Sequence, residues 1–462
     1  MVMPPAWTSA ADIAQAVAAG KTTAAEVVEW QLARIEQLGP VLNAFTTVTA
    51  ERARAKAKAV DAAPDKSKLP LAGVPFAVKN LFDIEGVVTV AGSKINRDDP
   101  PAKKDSPLIE RLEAAGAVLV GALNMGEYAY DFTGENVHYG PSRNPHDTNH
   151  MTGGSSGGSG AAVAGGLVPL ALGSDTNGSI RVPSSLCGIF GLKPTYGRLT
   201  RARTFPFVTS FDHLGPFARS AHDLALSYDA MQGPDAEDPV CTTRNPEPVT
   251  PLLARGLDGL RITVAGGYFR QGAFPEALDA LSHVAKAAGV RDEVEIPEAA
   301  RARAAAYVIS ATEGAALHLD RLRNRANDFD PAVRDRFIAA AMVPATAVNQ
   351  AQKFRRWYQA RVRELFNDYD AILAPATPCT APKIGQQTFV LDGVEMPVRP
   401  NLGIFTQPIS FVGLPVVAVP VPLSPLPIAV QVIAAPWRED VALRIAHALE
   451  QMGTVVAPRP NL

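Results

Sequence analysis

Three cysteines in 462 residues are too few for a disulfide framework. Cys187, Cys241 and Cys379 lie far apart and form no CxxC pair. That excludes a zinc ribbon and fits a reducing compartment, so the expected location is cytoplasmic. An excess of one charge is also missing. The 44 basic and 46 acidic residues leave a net charge of −2, with no basic surplus to hold nucleic-acid phosphates. The two signs are interspersed without a long run of either, as on a solvated surface. An unbroken apolar run is missing too. The most apolar stretch, GLPVVAVPVPLSPLPIAVQVIAAPW at 413–437, carries six prolines, which rule out a continuous membrane helix. It reads as short buried strands separated by turns. The start, MVMPPAWTSAADIAQ, has neither a basic nor an apolar signal-peptide region. No internal repeat, heptad array or long polar linker is visible. Residues 233–256 are the best candidate for an exposed connection.

What is present is a large apolar fraction, 47% of residues, ample for a sizeable core. The first 60 residues read as helices. TSAADIAQAVAAG offers Thr8 and Ser9 as N-caps and Gly20 as a stop, and TTAAEVVEWQLARIEQLG repeats the pattern. VPFAVKN (74–80) is an apolar strand that ends in lysine. LIERLEAAGAVLVGALNM reads as helix, glycine, strand and a new helix start. AAVAGGLVPLALGSD gives a small-residue helix and then a strand, and LRITVAG and AILAPA add further strands. Residues 298–368 are mainly helical and more charged. The closing segment has two strands and a helix, DVALRIAHALEQMG. This βα alternation places the chain in the α/β class and favours a largely parallel sheet covered by helices.

Several motifs resemble known sites and fail on context. GSSGG (154–158) matches G-x-S-x-G around Ser156, but turn formers rather than a strand precede it. HDTNH (146–150) mimics H-E-x-x-H. Pro145 before it and Gly153–Gly154 after it argue for a loop, so no metal site is expected. The P-loop pattern fails because Ser159 rather than lysine follows Gly158.

Two Gly/Ser segments remain: GGSSGGSG (153–160) and LGSDTNGSIRVPSS (172–185). Both suit loops at strand ends, where open α/β sheets bind ligands. In the second, the backbone N–H groups of Thr176, Asn177, Gly178 and Ser179 can converge as an oxyanion hole. The Ser179 hydroxyl then needs a base. None of the eight histidines is dictated by spacing. Lys79 qualifies if apolar burial keeps it neutral. The alternative is a strand-end lysine reaching to water.

PLAGVPFAVKNLFDIEG, GGSSGGSGAAVAGG and GSDTNGSIRVPSSLCGIFGLKPTYGRL, in that order, closely resemble the amidase signature family. SFDHLGPFARS, AILAPATPCTAPKIG and FTQPISFVGLPVVAVP extend the likeness over nearly the whole chain. The resemblance implies one domain over 1–462 with an α/β/α fold, built on a large twisted mixed sheet covered by helices on both faces. The signature core spans about 70–220, and the helical segment of about 298–368 is an insertion over the cleft. It further implies amide hydrolysis by a Ser–cis-Ser–Lys triad, without metal or organic cofactor. By motif, Lys79 is the base and Ser155 the bridging serine after a cis peptide from Gly154. Ser179, 24 residues further on, is the nucleophile. Ser156 would be structural.

Within the family, LFDIEG, AGSKINR, GPSRNPHDT, GSDTNGSIR, DHLGPFA and DAMQGPD resemble the branch acting on small, planar carboxylated ureas of the 1-carboxybiuret type, in cyanuric acid breakdown. That branch implies ammonia release, a small helical accessory subunit, and a homodimer or heterotetramer. The alternatives are an oxalurate-type ureido-acid hydrolase, a glutaminase like the amidase subunit of glutamyl-tRNA amidotransferase, and a non-catalytic subunit. Against the second stand Gly126 in NMGE for NMDE, Asn177 in DTNGS for DTGGS, and His213 in FDHLGP for LDQIGP. Gly154, Tyr130 and His213 are the candidate substrate-binding residues. Asn177 offers side-chain donors, or serves only a left-handed turn. His213 offers another donor, or only packs.

Overall fold

The strands of this protein are mostly buried along their whole length. Adjacent side chains on a strand point to opposite faces. Complete burial of Pro75–Lys79, Val118–Leu123 and Leu170–Asp175 therefore means that the sheet is covered on both sides. The computed structural model describes residues 6–423 and 425–462. Residues 1–5, at the head of the segment read as lacking a signal peptide, and Ser424 in the proline-broken stretch lie outside them.

Fifteen strands occur among the described residues. In chain order they begin with β1 (Phe45–Val48), β2 (Pro75–Lys79), β3 (Val118–Leu123), β4 (Arg143–Asn144) and β5 (Asp147–Met151). Then come β6 (Leu170–Asp175), β7 (Phe190–Lys193), β8 (His213–Ala218), β9 (Ile262–Ala265) and β10 (Glu293–Val294). The last five are β11 (Ala371–Pro375), β12 (Thr388–Leu391), β13 (Val394–Pro397), β14 (Val416–Val421) and β15 (Ile428–Ala434). Eleven of them form one sheet in the order β1-β3-β2-β6-β8-β7-β14-β15-β11-β9-β10. The strand pairs β4·β5 and β12·β13 stand apart as hairpins.

The sheet is mixed. β2 runs parallel to β3 and β6, and β9 runs parallel to β10 and β11. From β6 through β8, β7, β14 and β15 to β11 every neighbour is antiparallel. This corrects the largely parallel sheet that βα alternation favours. Among the described residues the connections of β7 to β8 and of β14 to β15 carry no crossover helix, and both pairs are antiparallel.

Local signals in the sequence set the helices. Ser9 caps Ala10–Ala18 by accepting from the Asp12 N–H, and Thr23 with Glu26 forms a capping box on Ala24–Leu42. The expected helix start after LVGAL is only a single 3-10 turn, Glu127–Ala129. HDTNH is not a loop, because Asp147–Met151 pairs with β4. One contiguous hydrophobic core runs from Ala10 to Val455. Among the described residues no helix is long and apolar enough to cross a membrane.

Candidate active site

Parallel neighbours β2 and β6 end on the same side of the sheet, with Val78 opposite Leu172. Lys79 closes β2, and Ser174–Asp175 closes β6. The Lys79 side chain is completely buried. Its Nζ lies 2.6 Å from Ser155 Oγ and 2.8 Å from Ser174 Oγ. Burial pushes its amine down to about 7, against the pull of the Asp212, Asp175 and Asp131 carboxylates. The reading of a lysine that reaches to water is not what the fold contains.

Ser155 follows a cis peptide bond from Gly154. Its carbonyl accepts from the Gly126 N–H at 3.0 Å. A turn at 131–134 holds the segment from the other side. Gly153 N–H donates to Thr133 O, and Gly154 N–H donates to Phe132 O. A Cβ on Gly154 would stand 2.6 Å from Asp131 Oδ2, so the glycine permits a close approach. Asp131 in turn accepts from the Gly134 N–H at 2.7 Å and pairs with Arg399 from beyond the β12–β13 hairpin. Ser156 points to the sheet, where its Oγ donates to Ser174 O and accepts from the Ser174 N–H.

The loop after β6 is fixed by a completely buried ion pair. Asp175 meets Arg181 at 2.9 Å and accepts from the N–H groups of Ile180 and Arg181. Burial would raise the Asp175 carboxyl, but the Arg181 guanidinium holds it well below the usual range. Arg181 also reaches Thr406 O at 3.1 Å and Gln431 Oε1 at 2.7 Å. Thr176 Oγ1 donates to Asp212 at 2.6 Å, and Thr406 Oγ1 donates to Asn177 O at 2.7 Å. Gly178 has φ +143°, and a Cβ there would lie 2.2 Å from Thr406 Oγ1. Asn177 does not have a positive φ, so a left-handed turn does not explain it. Among the described residues the N–H groups of 176–179 donate to no protein acceptor.

Ser179, Thr176 and Asn177 line a cavity of about 570 Å³. Tyr130 lines it as well. Its ring lies under the Arg336 guanidinium, 3.4 Å from the centroid, and against Phe207 and Phe337. Arg303 and Arg336 come from the helical segment above. Arg303 donates to the neutral acceptors Gln407, Pro400 and Asn401, and Arg336 donates to Tyr130 O. Among the described residues neither arginine has a carboxylate partner.

Two candidates lie elsewhere. Gly154 is buried and does not line the cavity. His213 opens β8 opposite Asp175 and does not line the cavity. Its Nδ1 lies 2.6 Å from Phe211 O, and burial, helped by nearby Lys193, pushes its imidazole well down. His213 is therefore held with its Nδ1 against backbone carbonyls, away from the cavity lining. The two arginines give no signal in the sequence, because charged residues on a long helix look like a solvent face. Ser174, Asp175 and Arg181 stand within the second Gly/Ser segment, but only the fold gives them partners.

The amidase family profile matches residues 26–443. The chain is 54% identical over 447 residues to AtzE, a subunit of 1-carboxybiuret hydrolase from Pseudomonas sp. (strain ADP), covering 96% of this chain and 98% of that one. It is 38% identical to a glutamyl-tRNA(Gln) amidotransferase subunit of Azotobacter vinelandii, covering 96% of each. One solved structure is described as an unexpected vestigial protein complex that reveals the origins of an s-triazine catabolic enzyme. It matches with TM-score 0.96 at 54% identity, over 98% of this chain and 100% of that one. A 6-aminohexanoate cyclic dimer hydrolase bound to substrate matches with TM-score 0.88 at 28% identity, over 99% of each. With a matched family profile over most of its length and a buried lysine hydrogen-bonded to a buried serine, the chain belongs to the amidase family and is a hydrolase of amide C–N bonds.

Proposed function

We propose that this amidase cleaves the terminal C–N bond of a small carboxylated urea of the 1-carboxybiuret type and releases ammonia. The observation that carries the reading is the pair Arg303 and Arg336, which line the Ser179 cavity without a carboxylate of their own. Guanidinium groups receive carboxylates with charge-assisted hydrogen bonds. The similarity to the 1-carboxybiuret hydrolase subunit supports the same substrate class.

The steps follow from the chemistry of the side chains. Neutral Lys79 takes the proton of Ser155 Oγ, and Ser155 takes that of Ser179. Ser179 Oγ attacks the carbonyl carbon, and the N–H groups of 176–179 receive the oxyanion. The relay then returns a proton to the leaving nitrogen, the C–N bond breaks and ammonia departs. Water hydrolyses the resulting acyl-enzyme by the reverse path. The chain acts as one catalytic unit in a reducing, cytoplasmic compartment. A small accessory subunit is in keeping with the structural relative described as a complex.

Ammonia release from 1-carboxybiuret, biuret, oxalurate, malonamate and glutamine tests the reading. The expected order places 1-carboxybiuret first and uncharged biuret far behind. Equal turnover of biuret, or glutamine as the best substrate, would overturn it.

A further inference from the structure

Asn177 is 7% exposed and lines the cavity with Ser179. The two ends of its amide have different fates. Nδ2 lies 3.1 Å from Ser310 Oγ. The Ser310 hydroxyl donates its one proton to Ala306 O, 2.6 Å away in the preceding turn of its helix. Toward Asn177 it therefore only accepts. This settles which way the amide points. The nitrogen faces Ser310, and Oδ1 is left over.

Oδ1 is buried and has no hydrogen-bond partner among the described residues. A buried amide oxygen without a donor is destabilising, and each such atom in a native fold calls for an explanation. The Asn177 carbonyl is held by Thr406, so the backbone below the side chain is anchored. Sequence alone suggests that Asn177 donates toward a substrate carboxylate. The structure adds an acceptor: one of the two Nδ2 N–H groups is held by Ser310, and Oδ1 remains open. The arginines across the cavity are donors only, so Oδ1 complements them.

We infer that Asn177 is a specificity-determining residue whose Oδ1 accepts from an N–H group bonded to the scissile carbonyl. Asn177 thus selects a ureido group, –NH–CO–NH2, over a carboxamide, –CH2–CO–NH2. This rests on the carboxylated-urea reading and narrows it: the arginines read the carboxylate, and Asn177 reads the ureido nitrogen. Asn177 and the proposed nucleophile Ser179 line the same cavity.

The test uses ureidoacetate and succinamate, which share length, carboxylate and terminal carboxamide and differ by N–H against CH2. Binding to the full chain carrying Ser179→Ala is measured by calorimetry, which removes the different intrinsic reactivities of ureas and amides. Adding Asn177→Leu lowers the preference for ureidoacetate about tenfold, the worth of one neutral hydrogen bond. Asn177→Asp, which keeps an acceptor, retains the preference. Ser310→Ala frees the amide to flip and lowers it in part. An unchanged preference in Asn177→Leu, with both compounds still binding, overturns this inference and leaves the wider reading standing. If Asn177→Leu does not fold, an unchanged preference in Ser310→Ala overturns it. If neither compound binds Ser179→Ala, the carboxylated-urea reading falls and the inference falls with it.

Discussion

If Lys79 is the base, the pH profile of turnover is set by its burial. The amine lies at about 7 against an ordinary 10.5. That gap of ~3.5 pH units is on the order of 5 kcal/mol against the charged form. At neutral pH about half of the molecules then hold a neutral amine, against fewer than about one in a thousand for an ordinary lysine. Only the neutral form takes a proton, so kcat/KM should rise about tenfold per pH unit below about pH 7 and level off above it. The assay is initial ammonia release over about pH 5 to 9, paired with the rate of Ser179 labelling by a fluorophosphonate. Lys79→Arg should lower both rates by about three orders of magnitude or more, because a guanidinium stays charged throughout. Lys193 provides an internal control. It is also completely buried and pushed down to about 7, by burial and by the neighbouring Arg181 charge. It donates to the backbone carbonyls of Pro194 and Leu414 instead of to a serine. Lys193→Met should keep the acid limb where it is. A flat profile, an acid limb that moves with Lys193→Met, or wild-type labelling in Lys79→Arg would refute the reasoning.

Ser155→Ala should cost several orders of magnitude in kcat, whereas Ser156→Ala should be far milder, because among the described residues Ser156 Oγ hydrogen-bonds only to the backbone of Ser174; equal losses would contradict the relay. Gly178→Ala should lose at least about tenfold in kcat with an unchanged far-UV spectrum, since φ +143° and a Cβ 2.2 Å from Thr406 Oγ1 force the loop to shift. Wild-type turnover in that variant would show that the loop is not fixed as described. Arg181→Met should destabilise the fold by about 3–5 kcal/mol in urea unfolding, because it strands the completely buried Asp175 carboxylate. The Asp175 carboxyl is held low in the folded state. The stability contributed by the pair is therefore present above about pH 4, the unfolded value, and is lost as pH falls through the lower folded value. A loss below about 1 kcal/mol would argue against the pair as the anchor of the loop.

Local patterns in the chain determined its elements and the residue types of its chemistry. Caps at Ser9 and Thr23, the apolar run into Lys79 and the small-residue helix after Ser156 are short-range signals, set by neighbours within a turn or a strand. The hydroxyl of Ser179 and the amine of Lys79 were legible as candidates from such patterns, whereas Ser155 entered only through the family resemblance. Strand direction was not legible, because the pairing of β6 with β8 or of β14 with β7 joins segments far apart in sequence. Nor was the charge balance of the cavity. Arg303 and Arg336 belong to helices that look solvated in one dimension, and they become cavity donors only where those helices lie over Ser179. The same holds for His213 and Asn177. Sequence makes both polar candidates. Tertiary packing buries the first with its Nδ1 against backbone carbonyls, and through Ser310 it orients the second so that its Oδ1 remains open as an acceptor. Residue type follows from the chain alone, but which hydrogen bond remains open is decided by the partners that the fold supplies.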